Sequence, residues 1–459
     1  MKHTLRTRAG APWLRRRSRR AALAAAVVLA SGIAACDPGE ILLVEDPDII
    51  NPADVQSPAG ANAVRLGALA RLIAATSGGT AGGDNIFLLG GMFADEWING
   101  DSFIYRWEID QRTMTSDNSF LSGTNRSLHR ARVGAAQAAE LMAEYNSTAP
   151  GWQAAEMHFV QAYTVNILAE HFCSGLVFSE VVDGQVQLGS PETTAAAFER
   201  ALAHANAGLA VATGAPAADS ARVRHALQVV RGRILLNLNR PADAAAAVAG
   251  VPTAFAYQTR HSATTESNYI WLRNIQERRY SVGNNEGGNG LNFATANDPR
   301  LPVTASGVRD DQGTPMHRQG LWPARETSVT IVGGVEARLI EAEAQLRAGG
   351  AAAALLTLNA TRRAFFTAAQ LPDLTLATTE AGRVDQLFRE RAFWLFGRGH
   401  RTGDLRRLIR QYGRSPNTVF PTGTWHKNGS QYGPDVTMPN PSAELNNPNV
   451  QQLCIDRNA

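Results

Sequence analysis

Three observations predict a mainly α-helical protein built from stacked helix pairs. Apolar residues recur at helical spacing through most of 59–250 and 335–412. A unit of long helix, tight turn and alanine-rich partner helix occurs twice: Leu238-Asn-Arg-Pro-Ala-Asp-Ala-Ala245 lines up with Leu346-Arg-Ala-Gly-Gly-Ala-Ala-Ala353. One long stretch between them, 251–334, has no clear helical period and is rich in Gly, Asn, Thr and Pro. The repeated unit is the arrangement of tetratricopeptide-type repeats, each pair of which buries too little alone and must stack. Of the 459 residues 44% are hydrophobic and 19% charged, values that allow a substantial core.

In chain order, the pattern predicts helices over 59–75, 118–145, 152–172, 193–212, 221–237 and 244–249. Further helices are expected over 336–348, 351–363, 383–396 and 405–412. Ser190-Pro191-Glu192 reads as a cap with proline at the first helical position, and Asp219-Ser220 as the next cap. Gly349-Gly350 ends one helix, and its alanine-rich successor lets two axes approach closely. Glu390, Arg391, Arg398, Arg401, Asp404, Arg406 and Arg407 lie among aromatic and aliphatic residues. This mixture predicts a partly buried Arg–carboxylate network that fixes helix orientation.

Residues 1–35 form a basic segment to Arg20, an apolar run from Ala21 and small residues before Cys36, the pattern of a secretory signal. Ile33-Ala34-Ala35-Cys36 has the form of a bacterial lipobox, which predicts lipidation at Cys36 and a membrane anchor. Removing Lys2 and seven arginines with this leader leaves 36 basic against 41 acidic residues, a net charge of −5. That balance argues against nucleic-acid binding. Residues 36–58, with three prolines following Asp46, Asn51 and Ser57, read as an extended tether. A single domain over 59–459 follows. Acylation occupies one cysteine, and whether Cys173 and Cys454 pair is left open by the sequence.

Two stretches carry candidate binding residues. Phe93 to Trp107 mixes acids with aromatics, and the insertion of about 251–334 supplies further rings and an arginine. Trp97, Asp101, Trp107, Trp271, Arg273, Tyr280 and Trp322 are the candidate ligand contacts, because a sugar offers C–H faces to rings and hydroxyls to carboxylates or amides. Asp95, Glu96 and Asp101 raise the alternative of a glycosidase acid pair. His158 and His171, thirteen positions apart, lack a metal-ligand spacing, and the 284–290 glycine run lacks a phosphate-loop motif. No cofactor or metal is expected.

The C-terminal third resembles the SusD/RagB-like nutrient-binding lipoproteins. The resemblance rests on Ala342-Glu343-Ala344, Asn359-x-x-Arg362, Glu390-Arg391, Leu395, Gly399, Arg401, Asp404-Leu405 and Arg407. Val44–Val55 and the closing Pro441-x-x-Glu444-x-x-x-Pro448 region add to it. Trp394 and Arg398 depart from the pattern, which often has glutamates there. The resemblance implies a non-enzymatic, lipid-anchored protein at the surface of the outer membrane. Such a protein captures a glycan oligomer or peptide and passes it to a TonB-dependent, SusC-like transporter. Asp37 behind the lipidated cysteine leaves inner-membrane retention open. The rival readings are a helical-repeat scaffold without a small-molecule ligand and a surface glycosidase.

Overall fold

The computed structural model describes residues 55–79, 84–182 and 185–458. The signal, Cys36 and most of the expected tether lie outside the described residues. Helix α1 (Pro58–Thr76) starts where Ser57 accepts a hydrogen bond from Gly60 N at 3.0 Å, with proline in the first turn. It packs on α4 (Ser119–Tyr145), which packs on α5 (Gly151–His171). Then follow α6 (Thr194–Val211), α7 (Ala217–Asn237), α8 (Pro241–Val248), α9 (Gly334–Arg347) and α10 (Ala351–Phe365), each against its predecessor. Helices α11 (Glu380–Trp394) and α12 (Arg401–Tyr412) close the stack.

The two repeat turns are the same structure built from different residues. Gly349, at φ 82°, and Asn239, at φ 60°, both take the left-handed conformation that ends a helix. Gly350 N then donates to Gln345 O at 2.9 Å, and Arg240 N to Leu235 O at 2.8 Å. Asparagine tolerates this backbone best after glycine, so the unit does recur, but Asn239 matches Gly349 and Pro241 matches Ala351, a register two residues away from the alignment of Leu238 with Leu346.

Helix α5 is buried on nearly every side, since α4, α6, α7 and α12 surround it. Its two buried glutamates are paired, as a buried charge requires. Glu156 accepts from Arg65 at 2.8 Å and from Tyr257 Oη at 2.9 Å, and Glu170 accepts from Arg233 at 2.8 Å. The expected arginine network is present in part: Arg391, Arg401 and Arg407 pair with carboxylates, whereas Arg398 makes no ion pair among the described residues and Arg406 donates to the backbone carbonyls of Ala169 and Phe172. Glu390 joins Arg362 at 2.9 Å to Arg300 at 2.7 Å. Asp404 accepts from Arg391 at 2.8 and 2.9 Å and from Arg407 at 2.7 Å. Burial alone would raise Asp404, but Arg391 and Arg407 outweigh it and hold its carboxyl at about 2.

Several local expectations change. Pro191–Glu192 (β5) is a short strand paired with Leu176–Val177 (β2), next to the hairpin of β3 (Glu180–Val182) and β4 (Gln185–Gln187), and Thr193 caps α6 instead, accepting from Ala196 N at 3.2 Å. Helix α7 begins at Ala217, with Asp219 in its first turn. Short helices that were not anticipated include α2 (Ile86–Phe93), wholly buried, and α3 (Ile104–Gln111). The insertion is not formless either. It holds β8 (Val303–Arg309) paired with β9 (Pro315–Gln319), and β10 (Val329–Gly333) paired with β6 (Ala256–Thr259). Short strands broken by bulges leave too little alternation to show in the sequence.

Cys173 and Cys454 form a disulfide across 281 positions. It fastens the C-terminal segment to the end of α5, where Ser174 N donates to Asp456 O at 3.1 Å and Ile455 N to Ser174 O at 2.8 Å.

Candidate functional site

The two stretches with candidate contacts meet. Strand β1 (Trp97–Asn99) pairs antiparallel with β7 (Tyr280–Val282), with Trp97 opposite Val282 and Asn99 opposite Tyr280. Beneath this ribbon, Asp84 is buried and accepts from Arg106 Nε at 2.6 Å, Arg273 Nε at 2.8 Å and Tyr280 Oη at 2.7 Å. Arg106 also bonds Asp101, whose Oδ1 accepts from Phe103 N at 3.1 Å. The Asp101 carbonyl accepts from Trp107 Nε1 at 2.7 Å and Lys427 Nζ at 2.9 Å. Asp101, Arg273, Tyr280 and Trp107 thus belong to one hydrogen-bonded assembly centred on Asp84 and Arg106.

On its outer side this assembly presents a ridge at the start of α3. Phe103 is 50% exposed, Ile104 58% and Tyr105 37%. Phe120 supports them, its ring 6.5 Å from Phe103 and 6.4 Å from Tyr105. The Arg106 guanidinium lies 4.6 Å from the Phe120 ring and 5.3 Å from Phe103, and Arg279 flanks Phe103 at 5.2 Å. Arginine planes over rings hold the ridge in place from behind. Sequence reasoning marked the 93–107 stretch but passed over these three side chains individually. Three successive large apolar residues following a polar turn are the signal that was available.

Beside the ribbon lies a polar cleft of about 320 Å³, lined by residues 284–288, His317 and His426 among others. His426 Nε2 is 2.7 Å from Asp110 Oδ2. Burial lowers the imidazole, yet Asp110 outweighs it and raises the pKa. Burial pushes the neighbouring Glu286 up to about 6, while Tyr432 Oη donates to it at 3.0 Å.

Three of the expected ring contacts are corrected. Trp97 and Tyr280 are fully buried and Trp322 nearly so. Trp97 meets Phe396 edge-on at 4.7 Å, and a Cβ on Gly397 would stand only 3.1 Å from Trp97 and 3.2 Å from Trp322. These tryptophans lock the ribbon and the insertion onto the end of α11, because their large apolar area stabilises more inside than at a wet surface. Trp107 and Trp271 keep part of their surface exposed. Trp107 packs edge-on against Trp425 at 5.5 Å, and Trp271 lies under Arg325 at 5.5 Å. Trp271 and Trp322 stand outside the Asp84 assembly.

The carboxylates of the hydrolytic alternative are engaged elsewhere. Asp95 binds Arg401 at 2.6 and 2.8 Å, and Glu96 accepts from Gly397 N at 3.0 Å. Both are buried, and burial pushes Glu96 up to about 8. A substrate at the surface meets neither.

No protein-family model matches the sequence, and no curated protein matches it. Solved structures do match in fold. A SusD superfamily protein from Bacteroides vulgatus aligns over 86% of this chain and 100% of its own, at 16% identity and a TM-score of 0.63. One from Parabacteroides distasonis aligns over 86% and 98%, at 14% identity and a TM-score of 0.63. A SusD-like carbohydrate-binding protein from Bacteroides vulgatus aligns over 76% and 83%, at 10% identity and a TM-score of 0.57. With stacked helix pairs, a strand-bearing insertion and an aromatic ridge held between them, the chain has the SusD-superfamily fold.

Proposed function

We propose that the protein is a binding lipoprotein that captures a nutrient and transfers it to a TonB-dependent, SusC-like transporter of the outer membrane, to which Cys36 tethers it. The ridge of Phe103, Ile104 and Tyr105 carries this reading, because exposed rings backed by an ion-paired, buried support are preorganised to stack on a ligand. Trp107, half-buried in the same assembly, and the polar cleft by His426 beside the ribbon add a ring edge and hydrogen-bonding groups. A glycan oligomer suits this combination, with C–H faces on the rings and hydroxyls on the polar rim. The carbohydrate-binding neighbour of the same fold favours a glycan over a peptide. Binding rather than hydrolysis fits the buried, arginine-paired state of Asp95 and the burial of Glu96.

Glycan and peptide arrays followed by titration calorimetry test this. A Phe103→Ala/Tyr105→Ala double variant loses about 2 kcal/mol of binding, roughly 30-fold. An unchanged affinity, or no ligand in either array, removes the reading and favours the scaffold. Purification of a native complex with an outer-membrane barrel tests the transfer step. Recovery of Cys36→Ala in the soluble fraction tests the anchor.

A further inference from the structure

A groove of about 590 Å³ runs between α1 and α4, lined by Arg71 of α1 and by Arg126 and Arg130 of α4. All three arginines are exposed, and no Asp or Glu lines the groove. None of the three makes an ion pair or a side-chain hydrogen bond among the described residues. Neighbours on the same helices do, since Arg65 of α1 pairs with Glu156 at 2.8 Å and Arg132 of α4 donates to Ser179 O. Glu266 lies against the lining residue Gly79 and accepts from its N–H at 2.8 Å. Residues 36–459 carry 36 basic against 41 acidic side chains, so the groove reverses the sign of the chain around it.

Two features of α4 are costs that contacts within the described chain do not offset. Arg126 and Arg130 stand one turn apart, a like-charge spacing that destabilises a helix. Arg71 lies over Gly134, where a Cβ would come within 2.5 Å of its Nη1. The interior of a 27-residue helix thus forgoes a better helix former to seat a third cation. Positions 126, 130 and 134 are successive turns, so the cations form a row with a step of about 6 Å along the axis.

The geometry points to a binding groove for an acidic glycan, whose carboxylate or sulfate groups pair with Arg71, Arg126 and Arg130 in turn. A guanidinium matches either group with two parallel N–H···O bonds. A row of anions along one chain fits a row of cations, and a concave groove suits a chain better than a flat lipid surface. Ala74 and Val133 in the lining offer an apolar strip to the C–H faces of the sugar rings. The groove adjoins the assembly behind the ridge. A Cβ on Gly79 would stand 3.2 Å from the Tyr269 ring, Tyr269 Oη accepts from Arg273, and Thr124 of α4 donates to the Asp84 carbonyl. The choice of a saccharide as the carrier of the anions rests on the proposed glycan capture, whereas the demand for negative charge rests on the groove alone.

Titration calorimetry of the full chain at pH 7 and low salt tests it. The probes are a galacturonate trimer, a chondroitin sulfate tetrasaccharide, a galactose trimer as the uncharged counterpart, sodium sulfate, and vesicles containing phosphatidylglycerol. At least one acidic oligosaccharide should bind saturably, roughly tenfold or more tighter than the galactose trimer, and more weakly as salt is added. Arg126→Gln/Arg130→Gln should weaken it roughly tenfold or more, and Arg71→Gln should act in the same direction. All three side chains are exposed, so these variants keep the fold. No saturable binding of either acidic oligosaccharide, equal affinity for the galactose trimer, sulfate binding as tightly as the oligosaccharides, vesicle binding in their place, or undiminished binding in the variants overturns the assignment. A neutral glycan bound through Phe103 and Tyr105 with no preference for acidic chains overturns it while the surface reading stands.

Discussion

Replacing Asp84 by asparagine tests whether one buried carboxylate organises the candidate surface. Its two oxygens accept from two guanidiniums and a phenol, at 2.6, 2.8 and 2.7 Å, with no solvent access. The amide keeps the shape but has one acceptor oxygen and sets N–H against at least one donor. Arg106 retains Asp101 and Arg273 retains Glu277, so neither guanidinium loses every partner. The cost should fall at the low end of the 3–5 kcal/mol typical of breaking a buried pair, about 3 kcal/mol. With an unfolding entropy of about 2.1 cal/mol/K per residue, a unit of roughly 400 residues loses about 3–4 °C in Tm. Differential scanning calorimetry reads that shift. The same variant should bind glycan more weakly, since Arg106 braces Phe103 and Phe120. A Tm within 1 °C of the parent, with unchanged binding, refutes the view that Asp84 supports the ridge.

Other expectations follow from particular contacts. Gly397→Ala forces a non-glycine residue to φ 66° and presses a methyl against Trp97 and Trp322, so it should destabilise by about 1–3 kcal/mol in urea titration. Glu96 takes up a proton on folding because burial lifts its carboxyl from the usual range to about 8. It therefore contributes a fall in stability of at most about 1.4 kcal/mol per pH unit between roughly pH 4.5 and 8. Glu96→Gln should flatten that fall, and a profile identical to the parent's would contradict the burial argument. Asp404 acts with the opposite sign. Its carboxyl is held at about 2, so it adds about 2 kcal/mol of stability above its unfolded pKa that disappears as pH drops through 2. Asp404→Asn should remove this acid-sensitive increment in denaturation measured at pH 2–5. Cys454→Ser should make the segment beyond Asn440 more open to limited proteolysis while the helical stack stays intact, because hydrogen bonds alone, such as Ser442 N to Ser116 O and Asn447 Nδ2 to Gly189 O, then hold it.

The sequence by itself determined the helical stack, because amphipathic spacing and the repeated turn are local and can be read within about twenty positions, whereas both caps read from the sequence, at Ser190 and at Asp219-Ser220, were displaced by neighbouring contacts. Asn239 and Gly349 illustrate the repeated turn, one geometry written with two residues. The Arg–carboxylate network was legible as a class, since charges interleaved with core residues must pair once buried. Which arginine meets which acid was decided only in three dimensions, as with Arg401 and Asp95, 306 positions apart. Tertiary structure alone also decided which tryptophans face water. Trp97 and Trp107 look alike in the chain, yet pairing of β1 with β7 turns one into the core and leaves the other at the rim. The disulfide and the meeting of Arg71 with Arg126 and Arg130 in one groove belong to the same category. Contacts that close over long sequence distances leave no periodic trace in the residues that make them.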